Sequence, residues 1–197
     1  MARPREFDEG DVIERALGVF WALGYDGTSL PDLLSGMGLT RGSVYKAFKS
    51  KKALFLTVLD RYEKTEVEGA VAMLTDPNIA NGRIRIDRLF VHIATVAVAG
   101  DRRGCLLCSA AAGPAAGDPD IACAVDRGLG RIRDGFSEAL LCSDVSGMAD
   151  PGARADLAEA LTTNYVGMRV LARSGIAAGD QQASARALAL MLLPAAS

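Results

Sequence analysis

The chain has 197 residues and a formal net charge of −2, and half of its residues are hydrophobic. Only 6% of the residues are aromatic, which favours helices over sheets, because sheets prefer aromatic and β-branched side chains. No apolar run reaches the roughly 18 residues that cross a bilayer, and the N-terminus lacks the apolar core of a signal peptide. We therefore expect a soluble, cytoplasmic protein that does not coat nucleic acids indiscriminately.

The first three helices are predicted from short apolar stripes and their caps. An apolar stripe over residues 12–21 predicts the first helix, which ends near Gly24. Two short helices follow, LPDLLSGM and RGSVYKAF, separated by a tight turn that contains glycine. Thr28 or Ser29 caps the first of these, and Thr40 caps the second. Such a pair of short helices joined by a tight turn is typical of a helix-turn-helix.

The rest of the chain reads as one helix after another. Further helices are predicted from Ser50 to the low seventies and over residues 83–100, 104–113, 119–142, 153–175 and 180–197. No convincing alternating strand is present. We predict an all-α fold of about nine helices, with a three-helix DNA-binding domain over residues 1–50 and a helical ligand-binding and dimerisation domain over residues 51–197.

The second short helix has residues suited to contact with DNA at its start. A recognition helix offers its N-terminal residues to base edges, and Arg41 and Ser43 can reach bases or phosphates there. Gly42 allows the backbone to approach closely. Val44 and Phe48 are expected to face inward as packing.

Positive charge is concentrated around this helix. Residues 39–55 hold five cations and no acid. Tyr45 offers a hydroxyl to phosphate, and Thr28 offers both a hydroxyl and a helix N-terminus. Lys46, Lys49 and Lys51 supply salt-dependent attraction to the backbone of DNA. The alternative is that this segment is a solvated basic turn between packed helices.

The segment from residue 12 to residue 59 resembles the DNA-binding domain of the TetR family of transcriptional regulators. The matching motifs are F-x-x-x-G-Y from Phe20, T-S-L-x-x-L from Thr28, and G-L-T-R-G-S-V-Y-x-x-F-x-S-K-x-A-L-F from Gly38. The resemblance implies DNA contacts at Thr28, Thr40, Arg41, Gly42, Ser43, Tyr45, Lys46 and Lys51. Two positions depart from the family pattern: Ala47 replaces a larger residue, and Lys49 stands where proline is common.

The function that this resemblance implies is ligand-responsive control of transcription. We expect a repressor that binds a palindromic operator on double-stranded DNA as a homodimer and is released by a small hydrophobic effector; an activator is the alternative. The last two helices, about 153–173 and 180–193, are the expected dimer interface. Leu157, Leu161, Leu188 and Met191 are expected near the core of the resulting four-helix bundle.

Four cysteines suggest a second possibility, a thiol-based sensor of oxidants or electrophiles on the same scaffold. Cys105 and Cys108 lie one helical turn apart, and two arginines precede Cys105. The alternative is that these thiols are small buried hydrophobic groups. No second C-x-x-C or histidine pair accompanies them, so no metal site is predicted.

A few polar residues in apolar helices are candidates to line an effector pocket. These are Tyr62, His92, Cys108, Asn164, Tyr165 and Met168, although each is also compatible with ordinary core packing. The glycine-rich segment GLGRIRDG follows no strand and lacks nucleotide-loop spacing. With one histidine and no catalytic motif, the sequence predicts neither an enzyme nor a cofactor.

Overall fold

Residues 8–174 and Ala183 are described by the computed structural model, and the regular structure there is entirely helical. The helices are α1 Glu9–Gly27, α2 Leu30–Met37, α3 Arg41–Phe48, α4 Lys51–Tyr62, α5 Glu68–Leu74, α6 Gly82–Val98, α7 Leu106–Ala112, α8 Pro119–Leu141 and α9 Pro151–Ser174. A π-helical turn, Glu63–Val67, joins α4 to α5 without a break, and a 3-10 turn, Pro114–Gly117, precedes α8.

The all-α prediction is confirmed, and the described range agrees with it closely. When residues 51–74 are counted as one continuous helix, residues 8–174 hold eight helices, the number predicted for that part of the chain. The ninth predicted helix, with Leu188 and Met191, lies outside the described residues. No helix within residues 8–174 is long and apolar enough to cross a membrane.

An aromatic cluster joins α1 to α4. The Phe55 ring of α4 lies 4.9 Å from Phe20 and 4.7 Å from Tyr25, centroid to centroid. Phe20 and Phe55 have no exposed surface. Rings at these separations attract each other beyond the gain from burial alone, so α4 is fixed against α1 beneath the helix-turn-helix.

The end of α1 differs slightly from the prediction. Gly24 does not end the helix but kinks it, with φ 74° and ψ 168°, and one further turn runs to Gly27. Only glycine adopts a positive φ without strain, which explains why the kink lies at this residue. Helix α2 then begins at Ser29, which forms a reciprocal capping box with Asp32.

The later helices pack around α8 at close range. The amide of Gly82, the first residue of α6, donates to the Cys142 carbonyl at 3.0 Å. A Cβ atom at Gly82 would lie 1.7 Å from the Ala139 carbonyl oxygen, so α6 touches the backbone of α8 there.

The end of α1 packs on the later helices through Trp21. Its indole Nε1 donates to the Gly104 carbonyl at 3.2 Å, and its ring meets Tyr62 edge-on at 5.0 Å. Arg173 of α9 donates to the Trp21 carbonyl at 3.0 Å. The helix-turn-helix is therefore joined to the rest of the chain through α1 as well as through α4.

One residue expected near the dimer interface lies in the core of the single chain. Leu161 has no exposed surface within a single chain, so it belongs to the core of the protomer and offers nothing to a partner. Leu157 is half-buried against the same core. The large exposed apolar residues of α9 are Val170 and Leu171, 48% and 38% exposed.

Candidate nucleic-acid interface and cavities

Helix α3 is anchored along one side and exposed along the other. Thr40 caps it by accepting from the Ser43 amide at 3.3 Å. Val44 and Phe48 are buried in the core, as the sequence predicted. Two apolar anchors one turn apart hold a short helix firmly while its remaining surface stays free.

The exposed side of α3 brings most of the predicted DNA-binding residues together. Its exposed residues are Thr40 at the cap, Arg41, Gly42, Tyr45 and Lys46, followed by Lys49; Ser43 is half-buried. Tyr45 is 48% exposed. Within the described part of the chain, none of the three cations forms an ion pair. Unpaired cations beside an exposed tyrosine form a surface suited to phosphate.

Thr28 and Lys51 occupy less open positions. Thr28 is buried, and its hydroxyl donates to the Gly24 carbonyl at 2.5 Å, so it stabilises the kink of α1. This placement does not support the expected phosphate contact by the Thr28 hydroxyl. Lys51 is half-buried, with its ammonium 4.4 Å from the centroid of the Tyr25 ring. The Lys51 ammonium remains near the surface, and its cation–π contact with the Tyr25 ring stabilises it there.

Lys49 connects α3 to α4 in a strained conformation. It has φ 64° and ψ −46°, and it is the one non-glycine residue with positive φ among those described. The Ser50 amide donates to the Phe48 carbonyl at 2.7 Å across it, which closes a γ-turn. This turn is rare and costly for a residue with a Cβ atom. Proline, with φ fixed near −65°, cannot adopt it.

Lys52, the fifth cation of the basic segment, is paired with acids of α8. Its ammonium lies 2.9 Å from a carboxylate oxygen of Asp118 and 2.7 Å from one of Asp120. Hydrogen bonds to Asp120 and Asp118 raise the pKa of Lys52. Local sequence patterns do not predict this contact, because its partners lie 66 and 68 residues further along the chain. Lys52 therefore joins α4 to α8 and leaves the DNA-facing charge to its neighbours.

Two cavities lie behind the helix-turn-helix. The first, which we call the α1–α7–α9 cavity, has a volume of about 310 Å³. Leu23–Gly27 of α1 form one wall, and Cys105, Cys108 and residues of α7 and α9 form the others. The second, the α5–α6–α9 cavity, measures about 190 Å³ and borders the π-helical turn. Arg169 of α9 lines both cavities.

A buried polar cluster lies between these cavities. Arg169 Nη2 donates to the Tyr62 hydroxyl at 3.3 Å, while Arg169 Nε is buried without a hydrogen-bond partner. A hydrogen bond from the Cys108 thiol, the charge of Arg169 and a hydrogen bond from Tyr62 lower the pKa of Cys105 to about 6, against the effect of burial. The same contact with Cys105, together with burial, raises the pKa of Cys108.

The predicted effector-binding residues are divided between these features. Tyr62 belongs to the buried cluster, and Cys108 lines the α1–α7–α9 cavity. His92, which is exposed, and Tyr165, which is buried, both line the α5–α6–α9 cavity. Two predicted residues line neither cavity: Asn164 is half-buried, and Met168 is buried in the core.

Sequence reasoning missed Arg169 and the end of α1 as cavity walls. The available signal was the position of Arg169 one turn after Tyr165, on the buried stripe of α9. An arginine on such a stripe needs a partner, which makes it informative. No comparable signal marks Leu23–Gly27. No group of three histidine, cysteine or acidic residues suited to a metal ion occurs among the described residues.

A family model and a relative that matches over most of the chain are both found. The model described as "Bacterial regulatory proteins, tetR family" matches residues 12–58. The uncharacterized HTH-type transcriptional regulator YezE of Bacillus subtilis (strain 168) is 31% identical over 141 residues, 72% of each chain. The HTH-type transcriptional repressor ComR of Escherichia coli (strain K12) is 42% identical over 60 residues, 30% of this chain and 29% of that protein.

Solved structures share the whole architecture. A cysteine mutant of the TetR family transcriptional regulator CifR, complexed with 26-base-pair operator DNA, superposes with a TM-score of 0.82 at 26% identity. The match covers 96% of this chain and 99% of that one.

Proposed function

Because this chain belongs to the TetR family of bacterial transcriptional regulators, we propose that it is a homodimeric repressor that binds a palindromic operator and is released by a small molecule. The exposed side of α3 carries this proposal, since it combines unpaired cations, a tyrosine and a close-approach glycine on a firmly anchored short helix. Because bacterial DNA lies in the cytoplasm, the proposal places the protein there.

A dimer is part of the proposal because one eight-residue helix reads too few base pairs. Two copies of α3 would enter successive major grooves, with half-sites about one helical turn apart. We propose that α9 and residues 180–193 of each copy form the interface. Val170 and Leu171, exposed in the single chain, are the described apolar residues of α9 that a partner would cover.

The effector signal can reach α3 through the helix that α4, the π-helical turn and α5 form together. The continuous helix 51–74 begins beside the Lys49 turn and passes the buried cluster at Tyr62 before it reaches the α5–α6–α9 cavity. We place the boundary between the DNA-binding domain, 1–50, and the effector domain, 51–197, at its start. An effector changes DNA affinity only by as much as it binds one arrangement of these helices better than the other.

The direct test is titration of the full chain against the DNA immediately upstream of its own gene. Tyr45→Ala and Lys46→Ala should each weaken binding, and Lys46→Ala should also lower the dependence on salt by about one counterion. Lys64→Ala is the matched control, because Lys64 is an exposed cation on the π-helical turn, away from α3. If all three variants bind like the wild type, α3 is not the interface.

A transcriptional reporter tests the sign of regulation. Repression predicts that deleting the gene raises expression from the bound promoter, and that adding it back lowers expression again. A fall in expression on deletion would establish the alternative, an activator.

The buried cluster favours a second candidate function, a thiol-based sensor of oxidants or electrophiles. Cys105 and Cys108 contact each other and line one cavity, and Arg169 and Tyr62 favour the thiolate of Cys105. A thiolate is the nucleophilic form of cysteine, so this geometry selects Cys105 as the reactive member of the pair.

Operator binding before and after treatment with hydrogen peroxide or a quinone tests this candidate. The sensor predicts loss of binding in the wild type, protection in Cys105→Ser, and modification of Cys105 detected by mass spectrometry. Cys142→Ser is the control, because Cys142 is exposed and lies in neither cavity wall. Undiminished binding by a protein whose Cys105 is modified rules this candidate out.

A further inference from the structure

Among the residues that the structure describes, Arg169 has no acidic partner, although it lines two cavities. Its one hydrogen bond among the described residues goes to the neutral Tyr62 hydroxyl, and its buried Nε donates to nothing. Burying an arginine charge is costly unless a counter-charge and hydrogen bonds compensate for it. The site therefore contains a strong donor group that the protein itself leaves unsatisfied.

Three acids lie near this region. Glu66 lines the α5–α6–α9 cavity together with Arg169, but it is exposed and forms no ion pair with Arg169 in the described structure. The other two acids are already engaged. Asp26, on the wall of the α1–α7–α9 cavity, accepts from the Ala115 amide at 3.3 Å. Asp101 forms an ion pair with Arg103 at 2.7 Å. The remaining negative group is the Cys105 thiolate, which influences Arg169 through charge but forms no hydrogen bond with it. The planar fork of the guanidinium is thus free to pair with a carboxylate.

The walls around Arg169 define the rest of the ligand. Leu23, Ala112, Pro114 and Val170 give the α1–α7–α9 cavity an apolar lining. Its volume of about 310 Å³ is at the lower end of the range for small-molecule sites, about 300–1,000 Å³. We infer that this cavity binds a small apolar molecule that carries one carboxylate, and that Arg169 recognises that carboxylate.

This inference deepens the proposed release by a small molecule, and it rests on that proposal only for its regulatory meaning. The ligand would contact Leu23–Gly27, including the kink at Gly24, and this segment leads directly into the cap of α2 at Ser29. A ligand whose carboxylate is bound by Arg169 of α9 would therefore contact the same turn that positions the helix-turn-helix. The sequence predicted a hydrophobic effector, and Arg169 in the cavity wall indicates that this effector also carries a negative charge.

Binding is tested on the full chain without DNA. The probes are benzoate and hexanoate, each compared with its uncharged amide, benzamide or hexanamide, at about 10 mM, where a site with a dissociation constant of about 1 mM is roughly nine-tenths occupied. We expect the carboxylates to raise the melting temperature and to slow alkylation of Cys105 and Cys108. The amides should do neither.

Variants separate recognition by Arg169 from general effects of charge. Arg169→Met should abolish the response to the carboxylates and still fold, because it removes a half-buried charge that has no ion pair among the described residues and leaves no buried Nε without an acceptor. Arg169→Lys should restore part of the response, since it keeps the charge but loses the fork. Arg102→Met, at an exposed arginine without an ion pair among the described residues, should respond like the wild type.

Three results would overturn the inference: equal responses to acids and amides, a full response in Arg169→Met, or no response to either carboxylate. These results are independent of the proposed function, which is measured by operator binding and its release. A protein that binds its operator but ignores the carboxylates refutes the ligand class alone. A protein that binds the carboxylates but no operator refutes the repressor alone.

Discussion

The strained turn at Lys49 makes a prediction that separates backbone strain from charge. Lys49→Ala removes the cation but keeps the Cβ atom, whereas Lys49→Gly removes both. The two variants therefore carry the same charge and differ only in how easily they adopt φ 64° and ψ −46°. The difference in their free energy of unfolding reports the strain of the γ-turn, reduced by the greater flexibility of glycine in the unfolded chain.

The expected difference follows from two opposing terms. A non-glycine residue in a sparsely populated backbone region costs about 1–3 kcal/mol. Glycine relieves this strain, but it also makes the unfolded chain more flexible, which lowers the free energy of unfolding by about 0.4–1 kcal/mol. Lys49→Gly should therefore be at least as stable as Lys49→Ala, by up to about 2.6 kcal/mol. Lys49→Pro should be less stable than either, since its ring excludes a positive φ.

Urea unfolding of the three variants measures these free energies, and titration of the operator at several salt concentrations measures the charge. Both Lys49→Ala and Lys49→Gly should lower the salt dependence of binding by about one counterion if Lys49 contacts phosphate. A Lys49→Ala protein more stable than Lys49→Gly would refute the strained γ-turn, whatever its affinity for DNA. An unchanged salt dependence would remove Lys49 from the DNA contacts and leave the strain argument intact.

Three further predictions concern the core, the α6–α8 contact and the buried thiol. Phe55→Ala should lower the free energy of unfolding by about 3–5 kcal/mol in urea, because it empties a fully buried site; a loss below 1 kcal/mol, to order of magnitude, would contradict this packing. Gly82→Ala should cost about 1–3 kcal/mol, since its Cβ meets the Ala139 carbonyl, whereas Gly167→Ala, in open space on α9, should gain up to about 1 kcal/mol in the same assay. The pKa of Cys105, about 6 in the folded chain, lies below the unfolded value of about 8.5. Ionisation of Cys105 therefore increases the free energy of unfolding. This contribution is fully present above about pH 8.5 and is lost as the pH falls through about 6. The rate of alkylation at Cys105, followed by mass spectrometry, should fall over the same lower range; a midpoint near 8.5 in the folded protein would count against the cluster.

The local structure of the helix-turn-helix was predictable because its determinants are close together in sequence. Thr40 caps α3 through a residue three positions away, and Val44 and Phe48 share a face because they are one turn apart. Short-range rules of this kind fix which side chains are buried and which are exposed. The exposed side of α3 follows from them without any knowledge of the rest of the chain.

The effector site was only partly predictable because it depends on contacts between distant segments. Tyr62 and Arg169 meet across 107 residues, and Lys52 meets Asp118 across 66. Nothing in the local sequence shows whether a lysine in a basic run faces DNA or an acid on another helix. The same limit explains Thr28, whose hydroxyl bonds to a carbonyl exposed by the Gly24 kink.

The ion pairs of the long helix 51–74 restrict how an effector signal can reach α3. Lys52 joins the start of this helix to α8, and Glu63, at the π-helical turn, accepts from Arg127 at 2.7 Å and from Arg131 at 3.2 Å, both on α8. These ion pairs connect both the start of α4 and the π-helical turn to α8, so a tilt of α4 relative to α8 would break several ion pairs. The end of α1, by contrast, borders a cavity and contains a glycine kink. Movement of α1 against α7 and α9 would break hydrogen bonds, such as those that Arg173 donates to the Trp21 and Ala22 carbonyls, but no ion pair among the described residues. This makes the α1–α7–α9 cavity the better-placed origin of the proposed switch.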